Sequence, residues 1–324
     1  MQARSIAVAV VAAACTAGAI GVQAQQYPNR TVRFIVPYAA GGGTDLNARP
    51  VAQKLTERWG QSVVVDNRPG GNAGIGTDLV AKSSPDGYTL LFHASSEIVT
   101  NISLFKKVPY DPVKDFIPIT LASTTAVIIV THPSVPARNM KDLVALAKAR
   151  PGQLSFASVG TGSPQHLAGE LLNADAKIKM THIPFKGAAP ALIDTLGGHV
   201  PVGFIALLPT VPHVKSGKLI AHAVTTKERS GALPEVPTTA EVGFPNVDLY
   251  QWYGVLAPAG TPREVTDRLA KDVVWALTLP DVKDRFARDG CDVVASSPQD
   301  FAAFIKSEID KNARVIKSAN VMTE

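Results

Sequence analysis

The chain has 324 residues, 46% of them apolar, with a formal net charge of +5 and two cysteines. That length suffices for two domains or one large one. The Lys and Arg residues are scattered without a basic block, which excludes an electrostatic footprint for nucleic acid.

Residues 1–24 read as a secretory signal peptide: Arg4 supplies the positive end, Ile6 to Gly21 is apolar and small, and Ala24 ends it. The run is too short and too rich in Ala and Gly for a permanent membrane span, which needs about 20 strongly apolar residues. Cys15 follows Arg4 too closely, with no Leu upstream, to read as a lipidation site. Its removal leaves Cys291 alone, so no intramolecular disulfide can form. An exported chain so poor in cysteine fits a bacterial periplasm, where size rather than crosslinking supplies the core.

Val32 to Val36 is an apolar, β-branched run and predicts a buried strand. Gly41, Gly42 and Gly43 then form a loop, and Thr44 or Asp45 is placed to cap the following helix. A strand, a glycine loop and a helix start together aim free backbone N–H groups at one point, which suits a small anion. A side chain at Gly43 is expected to block that approach and to leave the fold intact.

The same alternation continues along the chain. Strands are expected at 32–36, 62–66, 89–92, 126–131, 154–158, 180–183, 200–205, 220–225, 250–257 and 292–295. Helices are expected at 47–59, 74–82, 141–149, 165–173, 190–197, 211–216, 263–277 and 298–318. This predicts an α/β fold with largely parallel sheets covered on both faces. Thr261-Pro262-Arg263-Glu264 reads as a capping box with Thr261 as N-cap, and Ser297-Pro298 opens the last helix in a similar way. Pro50 implies that the first helix starts late or bends.

Two stretches, 116–130 and 249–258, are suited to carry the chain between domains. If both cross, residues 25–124 and 252–324 form one discontinuous domain and 125–251 the other. A double crossing makes a hinge, and the cleft between the domains is the natural site.

Further candidates stand at strand exits. Thr161, Gly162 and Ser163 repeat the first loop's logic, with Ser163 as the cap of the next helix. Phe185, Lys186 and Gly187 form a third exit; Lys186 reads as a solvated side chain, and Gly187 as the closer approach to a ligand. Ser95 and Ser96 supply hydroxyl donors, while the neighbouring Glu97 is expected to face solvent.

Enzyme motifs are not met. There is no G-x-x-x-x-G-K-[ST], neither glycine loop completes G-x-G-x-x-G, and no H-E-x-x-H or cysteine pair suggests a metal. His166 and Glu170 share a helical face without a third ligand nearby in sequence, and Ser163 does not sit in a G-x-S-x-G elbow. No cofactor is called for. A secreted hydrolase using Ser163 or Ser96 with a distant histidine remains the enzymatic alternative.

The segments Pro37-Tyr38-Ala39-Ala40-Gly41-Gly42-Gly43-Thr44-Asp45, Val64-Val65-Asp66-Asn67-Arg68-Pro69-Gly70-Gly71 and Pro85-Asp86-Gly87-Tyr88-Thr89-Leu90-Leu91 carry a more specific signal. So do Val108-Pro109-Tyr110-Asp111-Pro112, Gly160-Thr161-Gly162-Ser163, Pro184-Phe185-Lys186-Gly187 and Leu256-Ala257-Pro258-Ala259-Gly260-Thr261-Pro262. In this order they resemble the Bug-type receptors, the periplasmic solute-binding components of tripartite tricarboxylate transporters.

The resemblance implies two α/β domains of type II periplasmic-binding topology that close on a small organic acid without catalysis. It implies ligand contacts at Tyr38, Ala40, Gly42, Gly43, Thr44 and Asp45, at Ser95 and Ser96, at Thr161, Gly162 and Ser163, at Phe185, Lys186 and Gly187, and at Ala206. The implied partners are a large and a small integral membrane subunit, with the receptor itself a monomer. A sensor presenting its ligand to a membrane kinase is the alternative role. Three departures bear on the ligand. Phe185 replaces a frequent Tyr, the stretch Ile205-Ala206-Leu207-Leu208-Pro209 lacks an acid to pair an ammonium, and Glu97 stands where a small or neutral residue is usual. Unless Glu97 itself pairs an amine, these favour a dicarboxylate or an aromatic acid over an amino acid.

Overall fold

The computed structural model describes residues 27–318 and 321; the proposed signal peptide lies outside the described residues. In chain order the elements are β1 (Val32–Val36), α1 (Gly43–Trp59), β2 (Val63–Asn67), α2 (Gly74–Ala81), β3 (Thr89–Ala94), α3 (Ser96–Val99) and α4 (Asn101–Leu104). There follow β4 (Phe116–Thr131), α5 (Met140–Ala149), β5 (Ser155–Ser158), α6 (Pro164–Asp175), β6 (Thr181–Pro184) and α7 (Ala188–Leu196). The chain ends with β7 (Val202–Ala206), α8 (Leu207–Lys215), β8 (Ile220–Val224), β9 (Tyr250–Pro258), α9 (Arg263–Thr278), α10 (Pro280–Arg288), β10 (Cys291–Val293) and α11 (Pro298–Ser318).

The strands lie in the order β2-β1-β3-β9-β4-β7-β5-β6, with β8 and β10 also paired to β4. β1 is parallel to β2 and β3, and β5 is parallel to β6 and β7. Between these parallel groups run β4 and β9, antiparallel to each other from Phe116 against Pro258 to Ala126 against Tyr250. Beyond Ala126 strand β4 changes partners, pairing Val127 to Thr131 with β7 and β8. One strand of sixteen residues therefore belongs to both lobes.

Side-chain alternation explains why these strands read as unbroken apolar runs. In the first lobe Phe34, Val36, Tyr253 and Val255 enter one core while Ile35, Trp252 and Leu256 enter another on the opposite face. In the second lobe Val127 and Ile129 face one core, and Ala126, Ile128 and Val130 the other. Both faces of each lobe are covered, the condition for parallel strands.

Several boundaries differ from the sequence expectation. Helix α1 starts at Gly43, with Gly42 as N-cap and no side-chain cap, so Thr44 and Asp45 lie inside it. Asp45 instead accepts from the Gly41 N–H at 2.9 Å and from Arg49 at 2.8 Å. The helix continues through Pro50 to Trp59. Helix α9 begins at Arg263 after Pro262, because the Thr261 hydroxyl donates to the Pro258 carbonyl at 2.8 Å rather than capping. Helix α8 starts at Leu207, since Pro209 falls in its first turn, where no backbone donor is needed.

Candidate functional site

Two neighbouring spaces, with Tyr38 and Val159 in the walls of both, lie between the lobes. The outer one, of about 500 Å³, has Tyr38, the Gly70–Gly74 turn, Phe105 and Lys107 from the first lobe. The second lobe adds Val159, Thr161, Phe185 and Lys186. Tyr38 and Val159 also wall the inner space, which is only about 20 Å³, room for about one water-sized group.

The inner space is built from helix starts. Gly42, Gly43 and Thr44 open α1, Gln165 lies in the first turn of α6, Ala188 opens α7, and Ala206 precedes α8. Of these four helices only α6 has a side-chain cap, from Ser163. The other three leave first-turn N–H groups without an acceptor from a capping side chain. Each helix start carries roughly half a positive charge, so their convergence favours an anion. Among the described residues no carboxylate side chain lines either space, and two lysines line the outer one.

The remaining polar equipment comes from the crossing strand β9. Tyr253, 1% exposed, reaches the inner space, and among the described residues its hydroxyl has no protein partner. Burial raises its pKa well above the usual phenol value, so it stays a donor. Gln251 joins both lobes: its Nε2 donates to Ser95 Oγ at 3.0 Å and to the Trp252 carbonyl at 3.1 Å, while its Oε1 accepts from Gln165 Nε2 at 3.3 Å.

The sequence candidates divide into groups. Tyr38, Gly42, Gly43, Thr44 and Ala206 line the inner space, and Thr161, Phe185 and Lys186 the outer one. Gly187, at φ 125°, packs against the first loop, where a Cβ would lie 3.4 Å from the Ala39 nitrogen. Ala40 is exposed and lines neither space. Asp45 is committed to Arg49 and Gly41. Ser95 Oγ is held by Gln251, and Ser96 Oγ is buried without a partner.

Gly162 and Ser163 lie behind the wall. The Gly162 N–H donates to His166 Nδ1 at 3.0 Å, and the Ser163 hydroxyl donates to the Gly160 carbonyl at 2.7 Å while capping the His166 N–H. His166 stacks on His182 with ring centres 3.7 Å apart. Burial lowers the two pKa values to about 4 and about 3, so both rings are neutral at pH 7 and His166 serves as an acceptor. Among the described residues no group of three or more acidic, His or Cys side chains is placed to hold a metal.

Glu97 corrects the expectation of solvent exposure: it is 0% exposed. The chain turns at Ala94 into α3, tucking the carboxylate behind Tyr38. There Oε2 accepts from the Tyr38 hydroxyl at 2.7 Å and Oε1 from the Ala94 N–H at 2.9 Å. Burial pushes its pKa up to about 7 in spite of these two bonds. Both oxygens are engaged and Glu97 lines neither space, so it anchors Tyr38 rather than offering itself to an amine.

Sequence reasoning missed Asn72, Asn101, Phe105, Lys107, Gln165, Gln251 and Tyr253. Gly70, Gly71, Asn72 and Ala73 take φ values of 127°, 56°, 52° and 68°, four consecutive positive angles between β2 and α2. That turn points the Asn72 amide across the cleft, donating to Asn101 Oδ1 at 2.7 Å and to the Thr161 carbonyl at 2.8 Å. The glycine-turn logic applied to the first and second loops would have singled it out. Lys107 and Lys186 enter no ion pair among the described residues.

A family model described as "Tripartite tricarboxylate transporter family receptor" matches residues 47–321. Protein BugT of Bordetella pertussis is 38% identical over 304 residues, covering 93% of this chain and 93% of that protein. The solved structure of R. palustris Rpa4515 with adipate superposes with a TM-score of 0.88 at 33% identity, covering 91% of this chain and 98% of the other. MatC from Rhodopseudomonas palustris with bound malate gives a TM-score of 0.85 at 30% identity, covering 90% and 100%.

Proposed function

Since this chain belongs to the tripartite tricarboxylate transporter receptor family, we propose that it is a periplasmic receptor for a small organic carboxylate. The observation that carries the reading is the convergence of four helix starts and one unpartnered phenol on a space that no acidic side chain lines. A carboxylate oxygen reaching into that space from the outer one meets main-chain N–H donors from both lobes, so holding the acid also holds the lobes together. Each hydrogen bond to a charged group contributes roughly 1.5–3 kcal/mol. Three or four of them suffice for micromolar affinity, about −8 kcal/mol, once association costs are subtracted.

The outer space takes the rest of the molecule. Phe105, Val159 and Phe185 suit an apolar or aromatic body, and Lys107 and Lys186 suit a second negative group. The lining therefore favours a dicarboxylate or aromatic acid over an amino acid, and the relatives with adipate and malate are consistent with it. The domains are 25–124 with 252–324 and 125–251, hinged where β4 and β9 cross. The receptor is exported by residues 1–24, works as a monomer, and delivers the acid to the integral membrane subunits of its transporter.

The test is calorimetry on ligand-stripped protein with mono- and dicarboxylates, aromatic ones included. At least one acid is expected to bind at micromolar or tighter Kd. For a dicarboxylate, the Lys107→Gln/Lys186→Gln double variant is expected to lose roughly 3- to 10-fold in affinity, with a weaker salt dependence. A protein that ignores every acid while another solute class raises its melting point would refute the reading.

A further inference from the structure

Glu97 is a buried carboxylate without a counter-ion. It is 0% exposed and, among the described residues, enters no ion pair. Its support is two hydrogen bonds, from the Tyr38 hydroxyl to Oε2 at 2.7 Å and from the Ala94 N–H to Oε1 at 2.9 Å. Burial without a cation disfavours the charged form, and two donors offset that only in part.

The groups packed around it do not supply the missing charge. Tyr110 donates its hydroxyl to the Glu97 main-chain carbonyl at 2.7 Å, and burial keeps that phenol protonated. His93 on β3 spends Nδ1 on the Ala94 carbonyl at 2.6 Å, and burial lowers its pKa to about 4, so it is neutral. Helix α4 brings no titratable side chain. Helix α11 packs on α3, and its Glu308 accepts from Trp252 Nε1 at 3.3 Å. On α2, Asp78 is paired with Lys82 at 2.8 Å. Glu97 is thus left to titrate at about 7.

On the other side of Tyr38 lies the cleft, since Tyr38 walls both spaces. A ligand carboxylate held there stands about one side chain away from Glu97, and like charges resist being ionised together in a buried site. At an effective dielectric near 20, a charge on the order of 10 Å away moves a pKa by about one unit. A proton on Oε2 also reverses the bond to Tyr38: Glu97 then donates, and the phenol hydrogen is freed for another acceptor. We propose that the receptor binds its acid together with a proton, which Glu97 takes up behind Tyr38. This rests on the carboxylate-receptor reading and adds the proton as a second bound species. The stacked His166 and His182, with pKa values of about 4 and about 3, stay neutral and do not compete for it.

The sign follows from linkage. A bound anion raises the Glu97 pKa, so binding takes up a proton and weakens as pH rises through 7. The experiment is calorimetry with benzoate, phenylacetate, butanedioate and hexanedioate between pH 6.5 and 8.5, in two buffers of different ionisation enthalpy. These acids are ionised throughout, so a proton taken up goes to the protein. For the acid that binds tightest, uptake of about half a proton is expected near pH 7.5, with affinity falling roughly 3- to 10-fold across the range. Glu97→Gln imitates the protonated form. It is expected to take up no proton and to hold at pH 8.5, within about twofold, the affinity of the parent at pH 6.5. Should that variant not fold, Tyr38→Phe removes a bond that favours the ionised form and must move the pH of greatest uptake upward. Binding without proton uptake, uptake that survives Glu97→Gln, or an unmoved pH of uptake in Tyr38→Phe overturns the inference and leaves the carboxylate reading standing. Failure of all four acids would remove both.

Discussion

A methyl group at Gly43 tests the inner wall most directly. A Cβ there would fall well inside contact distance of the Tyr253 hydroxyl and 3.1 Å from Cζ of the same ring. The ring is held by the core and cannot swing away, as Tyr253 is 1% exposed. Overpacking of this kind costs about 1–3 kcal/mol, against up to about 1 kcal/mol gained from replacing glycine in a helix. Gly43→Ala is therefore expected to lose about 1–2 kcal/mol, a few degrees in Tm for a chain of this size. The sequence expectation of an intact fold is put to this same measurement: a loss of that size lowers stability without unfolding the chain. Tyr253→Phe alone should stay within about 0.5 kcal/mol, because the hydroxyl has no protein partner to lose. In the double variant the clashing oxygen is gone and only the tight Cζ contact is left, so most of the loss should return. Urea unfolding of the four proteins at one pH measures the coupling, expected at about 1–2 kcal/mol. Additive losses, or a Gly43→Ala protein as stable as its parent, would refute the packing argument.

Two further outcomes follow from the residues around the cleft. Glu97 has its pKa raised to about 7 from 4.5, so folding favours its protonated form; its contribution is complete below pH 4.5 and is lost as pH rises through 7. Glu97→Gln keeps the Ala94 bond without the charge, and should be more stable than the parent at pH 8 by up to roughly 3 kcal/mol, the gap closing toward pH 4.5. A stability difference independent of pH in that range would contradict it. Asn72→Gly preserves the positive φ and removes the bond to the Thr161 carbonyl across the cleft, so release of a bound acid should quicken about 5- to 10-fold with association nearly unchanged. Stopped-flow kinetics showing an unaltered release rate would mean that this bond does not hold the lobes closed.

The layered pattern was legible because strands buried on both faces leave continuous apolar runs, as at Val32–Val36 and along Phe116–Thr131. The glycine loop at 41–43 was legible for its local chemistry, and its place at the start of a long helix is as read. Local chemistry does not report which side of a strand a residue faces. Gln251 and Tyr253 sit in a run that reads simply as strand, and only the pairing of β9 with β4 turns Tyr253 toward Gly43 and links Gln251 to both lobes. Glu97 failed for a similar reason: its two donors come from Tyr38, 59 residues away, and from the turn at Ala94. The helix expected at 211–216 begins earlier, at Leu207, because Pro209 falls in its first turn, where a helix has no bond to lose.

The shared strand β4 has a mechanical meaning. Sixteen residues pass from one sheet into the other without a loop, and β9 runs antiparallel beside the crossing. Such a junction behaves as a leaf spring: it flexes about one axis and resists shear and torsion along its hydrogen-bonded rungs. A bend there leaves the pairings of both sheets intact, whereas shear or torsion would have to break rungs on both sides of Ala126.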